Sequence, residues 1–378
     1  MTQMIKRLTI GILAYSAVFG VTVLGLEFFS KIYWESLPEK NSGKIAVLQM
    51  ISKTGHAANQ AIVAHPYSLF WNTPDYIDQD EIPQFNSLGH RSSELSSKKD
   101  DEYRILVLGG STTISWPYIQ DKNNTWPSIL GTKLQNALNL NVSIINAGLP
   151  GGTTAELMTH YHLIAKYLEP DTVILHVGGN DIGALLYPNY QTDYSHIRRS
   201  RNGKRLKKSF RRALEKSYAI KVITTALFHA DVYQTRPFPQ SELDPEQAYE
   251  RVIQTKAIAF EGNLRSILSD SSRKGINIVL VGFLQAREEM IAKNTPILKG
   301  LEKALVAGVN KHDFIMKNLA EEYDGIFVKL EQQRFPDDWF FDNCHLNVQG
   351  EKEKARQIFN AILAHFGASK RGPQIFQD

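Results

Sequence analysis

The chain has 378 residues, of which 43% are hydrophobic and 10% aromatic, enough apolar side chain to build a large core. These fractions exclude a mostly disordered or collagen-like protein. The single cysteine excludes an intramolecular disulfide framework and any cysteine-based zinc or iron–sulfur site. The formal net charge is +4, but residues 198–216 hold ten basic residues against one acidic residue, a net of +9, so the rest of the chain is acidic on balance.

The first thirty residues are predicted to form a transmembrane signal anchor. Residues 8–26 are a run of 19 without a charge, and a helix of that length, at about 1.5 Å per residue, is close to the roughly 30 Å of a bilayer core. Lys6 and Arg7 precede the run and favour a cytoplasmic N-terminus, which would place the rest of the chain in an extracytoplasmic space. The alternative is a cleaved signal peptide, although no clear Ala-x-Ala-like site precedes Glu27.

Residues 31–100 are predicted to form a loop-rich N-terminal extension, and a regular alternation of strands and helices follows over residues 101–368. Five short apolar runs are predicted as strands, namely 104–108, 142–146, 172–177, 276–281 and 325–330. The helices predicted beside them are 126–138, 154–168, 245–271, 297–323 and 348–366. Short apolar strands that alternate with helices indicate a parallel five-stranded sheet covered on both faces.

Residues 183–245 interrupt this alternation and are predicted to form a basic helical insertion, and residues 369–378 a flexible tail. The positive charge at 198–216 has three interpretations: a solvated helical face, contact with anionic lipid headgroups beside the anchor, or binding of an anionic polymer. Nucleic acid is not expected as a partner, because this part of the chain is predicted to lie outside the cytoplasm.

Four short polar motifs fall where predicted strands end or just before the last predicted helix. They are Gly109-Gly110-Ser111, Asn146-Ala147-Gly148, Gly178-Gly179-Asn180-Asp181 and Asp342-Asn343-Cys344-His345. Ligands bind at the carboxyl ends of the strands in an open parallel sheet, so we expect these motifs to converge on one site.

The residue types in these motifs are those that acyl transfer needs. A serine hydroxyl such as that of Ser111 becomes nucleophilic when a histidine accepts its proton. Asp342, three residues before His345, can orient the imidazole and stabilise its charged form. The developing oxyanion needs preorganised donors, which the N–H groups of Ser111 and Gly148 and the amide of Asn180 could supply. This chemistry requires no metal and no organic cofactor.

At these residues the sequence resembles the SGNH/GDSL hydrolase superfamily, whose four blocks carry Ser, Gly, Asn and His in this order. The resemblance implies a three-layer α/β/α, flavodoxin-like fold. It also implies a role for each motif residue: Ser111 as nucleophile, His345 as base, Asp342 as orienting acid, and Gly148 and Asn180 as oxyanion donors.

Two further features bear on this resemblance. The run Asn86-Ser87-Leu88-Gly89-His90-Arg91 is similar to an Asn-x-x-Gly-x-Arg element that precedes the catalytic core in many exported members. Gly110 stands where the name-giving Gly-Asp-Ser block has aspartate, a variant that many members share, and it leaves the nucleophile intact.

The sequence therefore predicts a membrane-anchored serine esterase that acts through an acyl-enzyme. Members with this layout often resemble enzymes acting on O-acyl groups of cell-surface carbohydrate, so O-acetyl esters are the first expected substrates, followed by lipid or small esters. Two alternatives stay open: a carbohydrate O-acyltransferase using the same site, and a non-catalytic glycan-binding or assembly protein built on the same fold.

Overall fold

The computed structural model of this chain contains two compact units, residues 1–64 with 201–232 and residues 65–200 with 233–378. The structure describes residues 2–38, 44, 47, 61–78, 80–197, 208–227 and 243–366. Six of the ten basic residues of 198–216 and the predicted tail 369–378 lie outside the described residues.

The described elements follow one another along the chain as helices and short strands. The helices are α1 (Thr2–Ser36), α2 (Ser111–Ile114), α3 (Trp126–Leu138), α4 (Thr154–Leu163), α5 (Ile182–Leu186), α6 (Lys208–Lys216), α7 (Tyr218–Leu227), α8 (Pro245–Gln254), α9 (Ile258–Arg273), α10 (Glu288–Asn294), α11 (Glu302–Glu322) and α12 (Val348–Phe366). The strands are β1 (Ile62–His65), β2 (Leu69–Asn72), β3 (Glu102–Gly109), β4 (Asn141–Gly148), β5 (Thr172–His176), β6 (Asn277–Val281) and β7 (Ile326–Val328).

The first unit is built on α1, whose stretch Ala14–Ser36 is long and apolar enough to cross a membrane, by length and composition alone. Helix α7 packs beside α1. The contact is fixed at Glu27, whose carboxylate accepts hydrogen bonds from the Ser217 hydroxyl and, at 2.7 Å, from the backbone N–H of Tyr218. A carboxylate at the start of a helix satisfies orphan N–H groups and favours the helix dipole.

The second unit contains the predicted parallel sheet of five strands, in the order β4-β3-β5-β6-β7. The first strand of this sheet therefore lies between the second and the third, as in a flavodoxin-like fold, and the crevice between β3 and β5 is the topological switch point. The pairing aligns the carboxyl ends, because Gly109 at the end of β3 is level with Gly148 on β4 and His176 on β5.

Helices cover both faces of this sheet, which confirms the three-layer α/β/α architecture. Helices α3 and α12 pack on one face, and α4, α9 and α11 contact the strands from the other. The core of the first face consists of buried apolar side chains from strands and helices, among them Ile105, Val107, Ile174, Val279, Trp126, Leu130, Ile358 and Ile362. Strands β3, β5 and β6 are buried over nearly their whole length, which explains why they appear in the sequence as apolar runs.

The prediction of one helix over residues 245–271 was wrong, because the chain breaks there into α8 and α9. Lys311, on α11, stabilises the break. Its ammonium group donates hydrogen bonds to the carbonyls of Val252, Ile253 and Thr255, at 2.5, 2.9 and 2.7 Å. These are carbonyls at the C-terminal end of α8 that have no partner within the helix, and a cation there also favours the helix dipole.

Candidate active site

Ser111 is placed by a tight turn at the carboxyl end of β3. The strand ends at Gly109, and Ser111 is the first residue of α2, a single helical turn. The three residues that follow it are buried, whereas Ser111 is half-buried. Ser115 ends the turn in the left-handed region, with φ 55°. A strand followed at once by one turn of helix thus places Ser111 at the carboxyl end of the sheet.

The presence of glycine instead of aspartate at position 110 has a physical reason in this structure. A Cβ atom built on Gly110 would lie 2.7 Å from Nδ2 of Asn180, too close for any side chain unless Asn180 moves. Gly148 is constrained in the same way, since a Cβ there would lie 2.5 Å from the backbone nitrogen of Ile114. Both glycines allow the motif loops to approach the serine turn closely.

Asn180 is held by a hydrogen bond to the loop that follows β4, and the neighbouring Asp181 is held by hydrogen bonds of its own. The Asn180 amide donates to the carbonyl of Gly152 at 2.8 Å. Asp181 is buried and accepts hydrogen bonds from the hydroxyl of Thr154 at 2.6 Å and from that of Tyr194 at 2.9 Å. Burial raises the pKa of Asp181 to about 6, although these donors favour its charged form. Asp181 therefore braces the loop that carries Asn180.

Gly148 lies beside the serine turn, but its N–H group already has a partner. It donates to Oδ1 of Asn146 at 3.2 Å, while Nδ2 of Asn146 donates to the carbonyl of Thr113 at 3.1 Å. The Gly148 carbonyl accepts from Nδ2 of Asn72 at 2.8 Å. An oxyanion that uses the Gly148 N–H must therefore replace or share the hydrogen bond to Asn146.

Asp342 and His345 form the hydrogen-bonded pair that their spacing predicts. Nδ1 of His345 lies 2.6 Å from Oδ2 of Asp342. The other carboxylate oxygen accepts the backbone N–H groups of Cys344, at 2.9 Å, and of His345, at 2.8 Å. These hydrogen bonds fix the carboxylate on the turn that carries the imidazole, so the ring is oriented without help from a distant part of the chain.

The pairing shifts the pKa values of both groups. Burial alone would lower the pKa of His345, but the nearby Cys344 sulfur and the Asp342 carboxylate outweigh it and hold that pKa above 6.5. Burial of Asp342 would raise its pKa, but the hydrogen bond from His345 and the two backbone N–H groups hold it well below 3.8. Both shifts favour the charged forms, so Asp342 is ionised at neutral pH and stabilises the imidazolium form of His345.

The two atoms between which a proton would pass carry no hydrogen bond among the described residues. Nε2 of His345 is buried without a partner there, and Oγ of Ser111 likewise has none within the described part of the chain. Catalytic hydrogen bonds are often long before substrate binds and shorten in the complex. The arrangement leaves Nε2 without a competing hydrogen bond from the described residues.

Tyr118 contacts the Asp342–His345 pair, and sequence reasoning missed it. Its hydroxyl donates to Oδ2 of Asp342 at 2.9 Å, and its ring stacks on that of His345, with centroids 4.0 Å apart and planes at 15°. Glu351 is a second missed residue, buried below the serine turn, where it accepts the Ser115 hydroxyl at 2.8 Å and the Trp126 N–H at 2.7 Å. The hydrogen bonds of Tyr118 and of Glu351 join residues more than 200 positions apart, so no local sequence pattern indicates them.

A family model described as the GDSL-like lipase/acylhydrolase family matches residues 107–352, from within β3 to the first turn of α12. The match includes all four polar motifs and covers well over half of the chain. The chain belongs to this family. It is accordingly an ester hydrolase of the GDSL type. No curated protein matches the sequence.

Three solved structures illustrate what the chain resembles. LAE5, an alpha/beta hydrolase enzyme from the metagenome of Lake Arreo, Spain, has 14% identity and a TM-score of 0.42, covering 68% of this chain and 94% of that one. Axe2, an acetylxylan esterase from Geobacillus stearothermophilus, has 15% identity and a TM-score of 0.41, covering 71% and 96%. A G-D-S-L family protein from Desulfitobacterium hafniense DCB-2 has 12% identity and a TM-score of 0.38, covering 68% and 98%.

Proposed function

We propose that this esterase cleaves O-acetyl esters of carbohydrate through an acyl-enzyme on Ser111. The observation that carries the proposal is the Asp342–His345 hydrogen bond of 2.6 Å, which occupies Nδ1 of the imidazole, while Nε2 has no partner in the described part of the chain. A histidine held in this way is a base in the correct tautomer for a serine nucleophile.

The proposed reaction begins with attack of Ser111 Oγ on the ester carbonyl carbon while Nε2 of His345 takes the hydroxyl proton. The oxyanion of the tetrahedral intermediate accepts hydrogen bonds from the N–H groups of Ser111 and Gly148 and from the amide of Asn180. The imidazolium then gives its proton to the leaving alcohol as the C–O bond breaks. Water, activated by His345 in the same way, attacks the acyl-enzyme, which releases the acid and restores Ser111.

Two exposed aromatic rings support carbohydrate as the alcohol part of the ester. Tyr118 is 38% exposed and Phe341 is 54% exposed, and their rings stack with centroids 5.7 Å apart beside His345. Such rings present an apolar face to water at the edge of the turn that carries the base. A sugar ring lying on that face would lie next to the turn that carries the proposed base.

The nucleophile is tested with the full-length protein in detergent, assayed on p-nitrophenyl acetate. We expect Ser111→Ala to abolish turnover and labelling by a fluorophosphonate, because both need the Ser111 hydroxyl. Ser97→Ala, which removes an exposed hydroxyl elsewhere in the same unit, is the matched control and should keep full activity. Turnover that survives in Ser111→Ala would disprove the assignment.

The substrate class is tested by comparing cellobiose octaacetate with p-nitrophenyl acetate. We expect Phe341→Ala to lower kcat/KM for the sugar ester by about 10-fold, because it removes stacking area that a small ester does not use. The value for p-nitrophenyl acetate should change less than twofold. Equal losses on both esters would argue against a sugar-binding role for Phe341.

We further propose that α1 anchors the protein in the membrane, with the catalytic unit on the extracytoplasmic side. The length and apolar composition of Ala14–Ser36 and the positions of Lys6 and Arg7 support this topology. Mass spectrometry of the protein isolated from membranes should find the original N-terminus. A new terminus near residue 30 would instead identify α1 as a cleaved signal peptide.

A further inference from the structure

Tyr118 makes two contacts with the proposed acid–base pair, and the two contacts act on different atoms. Its hydroxyl donates to Oδ2 of Asp342, the same oxygen that faces Nδ1 of His345. Its ring covers one face of the imidazole. Oδ2 of Asp342 thus accepts from both Tyr118 and His345. The stacked Tyr118 ring limits rotation of the imidazole.

The segment that carries Tyr118 is tied down at both ends by Arg91. The guanidinium is fully buried and donates from Nη1 to the carbonyl of Ile114 at 2.8 Å, and from Nη2 to the carbonyls of Ile119 and Gln120, at 2.5 and 2.8 Å. These carbonyls lie immediately before and after residues 115–118. Arg91 therefore binds both ends of the loop 115–118, which carries Tyr118.

Other contacts hold the interior of the same loop. The Ser115 hydroxyl donates to buried Glu351 on α12, and the ring of Trp116 packs edge-on against Tyr76 and Phe85 of the extension, with centroids 5.8 and 5.9 Å apart. The loop is therefore fixed to the extension on one side and to the C-terminal helix on the other, so the Tyr118 hydroxyl has a defined position.

We propose that Tyr118 is a positioning residue for the Asp342–His345 pair, and that Arg91 acts on this pair through Tyr118. The inference rests on the proposed function, because it assigns a role relative to the same base. It also gives a role to the Asn-x-x-Gly-x-Arg element of the extension, which contributes Arg91 but no group that contacts the pair directly.

The shared oxygen predicts how the base titrates. The titratable groups that face or surround His345 are Tyr118, Asp342, Cys344 and Glu351. Lys354 lies near two of these groups, Glu351 and Cys344. A donor bound to Oδ2 of Asp342 draws charge from that oxygen and weakens its stabilisation of the imidazolium. Removing only this donor should therefore make the imidazolium more stable and the base harder to deprotonate.

The test is the pH profile of kcat/KM for Tyr118→Phe in the full-length protein, with p-nitrophenyl acetate as substrate. We expect the acidic limb to move to higher pH by about half a unit, because the remaining hydrogen bond to His345 gains strength. We also expect kcat to fall about 10-fold, because the carboxylate loses one of its fixed contacts. The phenylalanine ring keeps the stacking, so folding should be unaffected.

Tyr161→Phe is the matched control, since Tyr161 also donates its hydroxyl to a carboxylate, that of Asp270 at 3.0 Å, between helices α4 and α9. It should leave the acidic limb in place. A limb that stays in place in Tyr118→Phe, or that moves equally in both variants, would overturn the proposal.

The role of Arg91 is tested by a double-mutant cycle with Arg91→Lys. Lysine keeps the charge but lacks the planar fork that holds three carbonyls. If Arg91 acts through Tyr118, the limb shift of Arg91→Lys combined with Tyr118→Phe equals that of Tyr118→Phe alone. Additive shifts would show that Arg91 does not act through Tyr118.

These outcomes are separable from failure of the proposed function. If Ser111→Ala keeps its activity, the proposed function fails whatever Tyr118 does. If Ser111→Ala is inactive and the profile of Tyr118→Phe matches that of the unmodified protein, only the positioning role is lost.

Discussion

Asp342 illustrates how a local contact can set the geometry of the proposed catalytic pair. Its Oδ1 binds the N–H groups of Cys344 and His345, and its Oδ2 binds the imidazole of His345, so one side chain organises its own turn. A carboxylate that accepts several hydrogen bonds stays ionised and can stabilise an imidazolium. This closed local pattern explains why the Asp-x-x-His spacing alone predicted the pairing of the two residues.

Replacing this carboxylate should change both the rate and its pH dependence. His345 accepts a proton only when neutral, and its pKa is raised by its neighbours, so kcat/KM should rise as the pH rises through that pKa. Asp342→Asn removes the negative charge that raises the pKa of His345. The acidic limb of the pH profile of kcat/KM should therefore move to lower pH. At the same time kcat should fall by roughly 10³ to 10⁴, because the amide no longer supports the imidazolium. A pH-rate profile of the variant checks both effects, and an acidic limb that does not move would contradict this account.

Gly110 permits a second prediction at the level of a single residue. A Cβ added to Gly110 would lie only 2.7 Å from Nδ2 of Asn180. It would therefore push Nδ2 away from its hydrogen bond to the carbonyl of Gly152. We expect Gly110→Ala to lower kcat by about 10-fold to 100-fold, towards the loss of one oxyanion donor, with little change in KM.

The control for this substitution is Gly262→Ala in α9, where nothing lies within 4 Å of an added Cβ. That variant should keep full activity in steady-state assays and gain slightly in thermal stability, since alanine favours a helix interior. An active Gly110→Ala would show that Asn180 does not need its present position.

At the scale of elements, the sequence predicts what depends on local pattern. The five strands of the sheet were identified because each is a short, mainly apolar run, and α3 matches its predicted bounds of 126–138. The break between α8 and α9 was not predicted, because the contact that stabilises it comes from Lys311, more than fifty residues further along the chain. Tyr118 was missed for the same reason, since its partner Asp342 is 224 positions away.

The Lys311 contact predicts a measurable contribution to stability. Lys311→Met removes three hydrogen bonds to carbonyls at the end of α8 and leaves them without that donor. We expect the free energy of unfolding to fall by about 2 kcal/mol, the range for hydrogen bonds to a charged group. Thermal unfolding followed by circular dichroism gives the measurement. Lys317→Met, an exposed lysine on the same helix, is the control, and an equal drop in both variants would refute the capping role.

At the scale of the whole molecule, the uneven charge follows the division into units. Eight of the ten basic residues of 198–216 belong to the same unit as α1, as do α6 and α7. Helix α7 starts on Glu27 of α1 and presents Ile223 and Leu227 to solvent, with exposures of 57% and 70%. Exposed apolar side chains beside a candidate membrane span and next to basic residues are typical of a helix at a bilayer surface. We therefore expect α7 to contact lipid.

Spin labelling of the full-length protein in phosphatidylcholine–phosphatidylglycerol vesicles tests this expectation. Cysteines introduced by Ile223→Cys and Lys216→Cys, each with Cys344→Ser, carry the label at an apolar and at a charged exposed position. We expect the label at position 223 to collide frequently with oxygen and rarely with a water-soluble nickel complex, because apolar side chains of an interfacial helix enter the acyl boundary. The label at position 216 should show the reverse. Water-like accessibility at both positions would identify α7 as a solvated face and exclude its contact with the membrane.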